Sequence, residues 1–225
     1  LARIDSEPAV YRWHDLIREG MESQFRQEDY PAYVAVAKKA AGILYAQGDS
    51  EQAAGLYLKA AAYNELSQVL LREGDTYVRA GKWRLLESWL NHLPQEVLDD
   101  QPRLLELQGR LATRLGQKEQ AIMHFNRAIE AATGHEHDKV RAQILITRSA
   151  AFRLMGYGTE AEADARAAIN VFEQSPGSEG DLIRALLQLA TVYVYQGRYG
   201  EAEKWLLRAL DVLRKNPDEY EGGLL

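Results

Sequence analysis

Five glycines, Gly48, Gly81, Gly116, Gly156 and Gly197, recur at intervals of 33, 35, 40 and 41 residues, and one pattern repeats around each of them. It is fullest over residues 104–130, LLELQGRLATRLGQKEQAIMHFNRAIE, which reads as two amphipathic helices joined at Gly116. Seven residues before each glycine stands a small residue: Ala41, Gly74, Gly109, Ser149, Ala190. Five after it comes Ala53, Leu86, Ala121, Ala161 or Ala202, and twelve after it Ala60, Leu93, Ala128, Ala168 or Ala209. Between those two positions, nine after the glycine, lies a gap-filler: Tyr57, Leu90, Phe125, Ala165 or Leu206. Small residues facing one larger one allow two helix backbones to come close. The second repeat, with leucines in place of alanines, is expected to pack less tightly.

The spacing G-x6-G-x4-A-x3-F-x2-A over residues 109–128 resembles the tetratricopeptide repeat (TPR). A single such helix pair cannot bury its apolar face and must stack on copies of itself. The resemblance implies an all-α, right-handed superhelix of about five TPR-like pairs. The repeats are expected over residues 31–215, with 1–30 as a linker and helix and 216–225 as a frayed tail. Pro31 suits a helix start, and Ser50 is expected to cap the second helix of repeat one, residues 51–63. A long helix over 64–80 follows, with Gly74 inside it for close packing. The third to fifth repeats are placed at 102–132, 137–173 and 181–215, separated by loops at 133–136 and 174–180.

A second resemblance lies in two stretches. Tyr11-Arg12-Trp13-His14-Asp15-Leu16-Ile17-Arg18-Glu19 is similar to the Y-R-[FY]-H-x-L-[FI] segment of MalT-like regulators, the large ATP-binding LuxR-type members of the STAND class. There it closes the winged-helix region; Trp13 departs from the usual Phe or Tyr. Residues 81–104, with Gly81, Trp83, Trp89, Leu90, Leu93, Pro94, Glu96, Leu98, Pro102, Arg103 and Leu104, resemble that family's early repeats. The resemblance implies a regulatory sensor that binds a small-molecule inducer or a protein and controls a nucleotide switch and a DNA-binding domain outside residues 1–225. The alternative is a stand-alone TPR scaffold for a peptide or protein. The opening LARIDSEP has no initiator Met or signal peptide and looks cut from something longer.

Function classes narrow further. No run of about 18 apolar residues offers a membrane span. With no Cys there is no disulfide, zinc–thiolate site or thiol nucleophile, as suits a reducing cytoplasm. A net charge of −6 disfavours direct nucleic-acid binding. Neither a G-x4-GK[ST] phosphate loop nor a G-x-S-x-G elbow is present, so no enzyme and no cofactor are expected. His14 reads as structural, and His135, His137 and Asp138 as a solvated loop rather than a metal site, since residues two apart do not share a helix face.

The expected binding surface is the groove lined by the first helices. In the TPR resemblance, positions 13, 10, 6, 3 and 2 before each turn glycine face it. Those positions supply Arg103, Arg110, Arg114, Arg153 and Arg184, with Tyr195 as a stacking plane. Arginine forks suit carboxylates, phosphates and sugar hydroxyls. An anionic or polyhydroxylated inducer, or an acidic peptide, is therefore the expected ligand. The competing reading is that arginines, good helix formers, simply coat the surface.

Overall fold

The structure, a computed structural model, describes residues 2–3, 11–12 and 15–216. Trp13, His14 and the tail expected at 216–225 lie outside it, apart from Asn216. A two-residue antiparallel pair, β1 (Ala2–Arg3) with β2 (Tyr11–Arg12), precedes twelve α-helices and is the only strand structure among the described residues. The chain divides into two compact units, Leu1–Glu73 and Gly74–Leu225, and the division falls inside one helix.

In the first unit, α1 (Asp15–Glu28) packs on α2 (Tyr30–Ala46), which packs on α3 (Ser50–Lys59). Asp29 caps α2, its carboxylate accepting from Ala32 N at 3.0 Å, and Pro31 follows where a missing N–H costs nothing. Glu22 of α1 accepts from the Tyr33 hydroxyl at 2.9 Å and from Lys59 Nζ at 2.9 Å, holding α1 to both partners. Burial first, then that carboxylate, pushes the Tyr33 phenol up to about 12. Two expectations are corrected here. The cap of α3 is Asp49, accepting from Gln52 N at 3.1 Å, and not Ser50, which is the first helical residue. In addition α3 ends at Lys59 rather than Tyr63, because Ala61 takes a left-handed φ of 51° before α4 (Tyr63–Arg79) begins.

The second unit holds the end of α4, then α5 (Trp83–Asn91), α6 (Gln95–Asp99), α7 (Pro102–Arg114), α8 (Lys118–Ala131), α9 (Asp138–Met155), α10 (Gly158–Glu173), α11 (Glu179–Tyr195) and α12 (Tyr199–Lys215). Helix α6 is the turn inserted by Leu93-Pro94-Gln95-Glu96. A single 3-10 turn, His135–His137, occupies the third inter-repeat loop. Helices α7 with α8, α9 with α10 and α11 with α12 are the antiparallel pairs, and α9 packs on α7 and α8 as α11 packs on α9 and α10.

Every repeat turns in the same way. The five spaced glycines all have positive φ, from 72° to 87°. At Gly116, the following amide, Gln117 N, donates back to Ala112 O at 2.9 Å. The same bond recurs as Asp49 N to Leu44 O, Lys82 N to Tyr77 O, Tyr157 N to Phe152 O and Arg198 N to Tyr193 O. This is the Schellman closure, which satisfies a helix-end carbonyl and needs a left-handed residue at the corner.

The packing positions sort as the spacing predicts, with one exception. All five small residues at the seventh position before the glycines lie in the packed interior; a Cβ at Gly109 would meet the Phe125 ring at 2.9 Å, and one at Gly74 would meet Leu107 at 2.6 Å. Ser149 is fully buried there because its hydroxyl donates to Ala161 O at 2.7 Å. Leu86, Leu90 and Leu93 of the second repeat are buried, so its leucines do fill core positions, with Trp89 set edge-on to Tyr77 at 5.2 Å. The exception is Leu206, 45% exposed although Phe125 at the equivalent position is fully buried. Among the described residues α12 packs chiefly on α11, with Trp205 and Arg208 reaching Arg166 and Glu173 of α10, whereas α8 is enclosed by α6, α7 and α9.

Two consequences can be measured in denaturant melts. Gly109→Ala drives a methyl into a rigid ring and should cost about 1–3 kcal/mol, and Phe125→Ala about 3–5 kcal/mol through the cavity it leaves, while exposed Glu130→Ala stays within about 0.5 kcal/mol of the parent. Ala61→Gly, by contrast, removes the left-handed Cβ penalty of about 1–2 kcal/mol against the extra chain entropy of glycine, so it should leave stability unchanged or raise it by up to about 1 kcal/mol.

Candidate partner-binding face

Helices α7, α9 and α11 lie side by side in the second unit and carry all six residues expected to line the groove. Two different surfaces emerge along them. Toward their N-terminal ends the polar residues interlock. Arg103 donates to Glu106 at 2.8 Å and also to the Gln143 carbonyl of α9. Gln143 in turn donates to Asp181 Oδ2 of α11 at 2.7 Å, and Arg184 donates to the other oxygen of Asp181. Thr147 donates to Glu106 Oε1 at 2.7 Å. A continuous ladder thus crosses three successive first helices, and Glu106, only 7% exposed, has both carboxylate oxygens occupied. Further along α7, Arg110 pairs with Asp75 of α4.

Nearer the turns the surface opens. Arg114 sits 5.9 Å over Trp83, whose indole N–H is fixed on Val78 O at 2.9 Å. Arg153 lies 4.3 Å over the Tyr195 ring, and its Nε is buried without a hydrogen-bond partner. A guanidinium over an aromatic face is an attractive arrangement in its own right. Tyr195 is nonetheless 67% exposed, and Leu154, at the position equivalent to Tyr195 in the preceding repeat, is 63% exposed; Val194 is exposed beside them.

The structure therefore brings Arg103 and Arg184 together through Gln143 and Asp181, and Arg153 together with Tyr195. Arg103, Arg110 and Arg184 each hold a carboxylate, leaving Arg114 and Arg153 as the two of the five guanidinium groups set on rings instead. Sequence reasoning missed Asp181 and the role of Glu106 as charge partners, although their i,i+3 spacing to Arg184 and Arg103 is the standard signal for a pair on one helix face. The groove positions two and three before the turn glycines also include Leu154 and Val194, and both are exposed. The histidines near residue 135 make local bonds: His137 Nδ1 to Thr133 O at 2.6 Å, and His135 to Asp138 at 3.2 Å. No cluster of three or more potential metal ligands occurs among the described residues. Nor is any described helix long and apolar enough to cross a membrane.

Comparison with known proteins decides the nature of this frame. Residues 140–215 and 102–135 each match a model of the tetratricopeptide repeat. The chain carries TPR repeats. Among solved structures it is similar to MamA protein, at 22% identity over 85% of this chain and 97% of that one, with a TM-score of 0.62. It is also similar to BtubC (BKLC) from P. vanneervenii, at 15% identity over 92% of this chain and 90% of that one, with a TM-score of 0.62. At these identities the likeness is one of fold. No curated protein matches the chain. Neither the repeat models nor these structures point to a MalT-like, LuxR-type or STAND protein.

The ladder separates structural from superficial charge. Glu106→Ala leaves Arg103 and Thr147 short of acceptors in a nearly buried setting and should cost about 1–3 kcal/mol. Asp75→Ala removes an exposed carboxylate from Arg110 and should cost no more than about 1 kcal/mol. Urea melts of the two variants give the comparison.

Proposed function

We propose that this chain is a protein-binding scaffold, without catalytic role or cofactor, that holds a peptide or protein partner along the first-helix face of α7, α9 and α11. The observation that supports it most is the exposed group of Leu154, Val194 and Tyr195 with Arg153 stacked on the tyrosine. Large apolar and aromatic side chains left in water beside arginine are the composition of binding hot spots. Arg114 on Trp83 extends the same strip one repeat earlier. In this reading the paired Arg103, Arg110 and Arg184 keep the helices in register and offer polar contacts at the rim, and the turn-end residues supply the anchor. The setting is cytoplasmic, and residues 31–215 form the repeat domain.

A finer reading, the inducer-sensing part of a MalT-like regulator, rests on residues 11–19 and 81–104 alone. A phosphate loop encoded ahead of residue 1 and a helix-turn-helix after residue 225 would support it over an independent scaffold.

Selection of a displayed random-peptide library on the parent chain tests the scaffold reading. Enriched peptides should lose roughly tenfold or more in affinity on Tyr195→Ala and Leu154→Ser, the scale of a hot-spot residue, and should keep it on Glu130→Ala. Peptides that bind the two face variants as well as the parent, or a library with no enrichment, would overturn it.

A further inference from the structure

On the opposite side of α7 lies a cleft of about 280 Å³ between α5, α7 and α8. Its polar lining comes from Glu87 and Asn91 of α5, Gln108 of α7, Gln117 at the turn, and Gln120 and His124 of α8. Leu90, Leu111 and Met123 supply apolar wall. Three features of this lining stand together. Gln108 is only 7% exposed, yet its carbonyl oxygen has no hydrogen-bond partner. His124 Nδ1 is buried and equally without one. The Glu87 carboxylate, half-buried, forms no ion pair among the described residues.

A buried polar atom left unpaired costs about 1–3 kcal/mol, so native proteins rarely keep one without use; Nδ1 of His124 is an acceptor in the tautomer that carries its proton on Nε2. Two such atoms and an open carboxylate on one cleft describe what the missing group must be. It has to donate several hydrogen bonds, carry positive charge for Glu87, and bring an aliphatic part to the leucines and Met123. Burial, and then the nearby Arg127, hold the His124 imidazole below its ordinary value. It is therefore neutral near pH 7 and does not repel a cation. A guanidinium fits better than an ammonium, because its planar fork spreads five N–H donors over separated acceptors whereas an ammonium has three on one point. The methylene stem of an arginine would lie along the apolar wall. The volume is just below the range of pockets that enclose drug-sized ligands, which suits one side chain or a ligand of that size.

We propose that the cleft between α5, α7 and α8 is a guanidinium-binding site, in which Glu87, Gln108 and His124 receive the arginine side chain of a partner or a small guanidinium ligand. The site is separate from the first-helix face and does not depend on a partner binding there.

The test uses the full chain and capped arginine (N-acetyl-arginine methylamide), followed by amide NMR. Capped arginine should give saturable shifts at α5, α7 and α8. Capped citrulline, its uncharged isostere, should bind at least tenfold more weakly. Glu87→Gln and Gln108→Leu, both checked for parental melting, should each weaken binding severalfold or more, while Glu130→Ala should not. A short peptide carrying one arginine separates the two sources of ligand: tighter binding than capped arginine assigns the site to a partner's side chain, and equal binding to a free guanidinium ligand. Absence of saturable shifts, citrulline binding as well as arginine, or full binding by folded Glu87→Gln and Gln108→Leu would each overturn the proposal.

Discussion

The Phe125 ring lies so close to Gly109 that even one methyl group has no place between them. That contact sets the separation of α7 and α8, and the rest of the second unit follows from repeating it. In the fourth repeat, where the small residue is serine, the gap-filler shrinks to Ala165 and the Ser149 hydroxyl donates to the Ala161 carbonyl. Packing at native density leaves no slack for a mismatched pair of sizes. A helix pair built in this way still has one open side, and the next pair covers it. The half-exposed Leu206 on α12 shows what that side looks like when no further described helix covers it.

Such a fold is legible in sequence because each requirement is local and periodic. The left-handed corner at each turn demands glycine, and the five glycines marked the five turns. The small residues follow at fixed helical offsets from those corners. What escaped the reading was set by geometry rather than by period. Asp49 caps α3 because its carboxylate reaches Gln52 N, while the neighbouring Ser50 is equally acceptable by composition. Ala61 adopts a left-handed conformation that its side chain does not announce. Helix-face periodicity placed all six groove residues on first helices, but it could not tell which guanidinium would find a carboxylate. Arg103 finds Glu106 on its own helix, whereas the carboxylate of Arg110 comes from another, in Asp75, which no spacing along α7 announces.

Charge pairing explains why an acidic chain can line one face with arginines at little electrostatic cost. The ladder from Arg103 through Gln143 and Asp181 to Arg184 ties three repeats across their first helices, where stacking otherwise relies on apolar contact. Individually, exposed pairs of this kind contribute little to stability. Their effect is to fix register, and with it the spacing of the side chains that remain open near the turns. Arg153 on Tyr195 is one of those open groups. An exposed aromatic ring already backed by a guanidinium loses little freedom on binding, which favours its use as an anchor.

Helix α7 carries the sharpest contrast in the molecule. Glu106 and Gln108 stand two residues apart, both 7% exposed, and so point to different sides of one helix. Glu106 has each oxygen filled by a neighbour, from Arg103 and Thr147, as buried polar groups in a finished interior do. Gln108 is just as enclosed and its oxygen is left empty, opposite an imidazole nitrogen in the same state. If enclosure alone were the reason for that side chain, leucine would serve as well at no polar cost. Retaining a carboxamide there makes sense when something else completes it. The same helix then serves two surfaces, with its finished polar side keeping the repeats in register and its unfinished side open to a ligand.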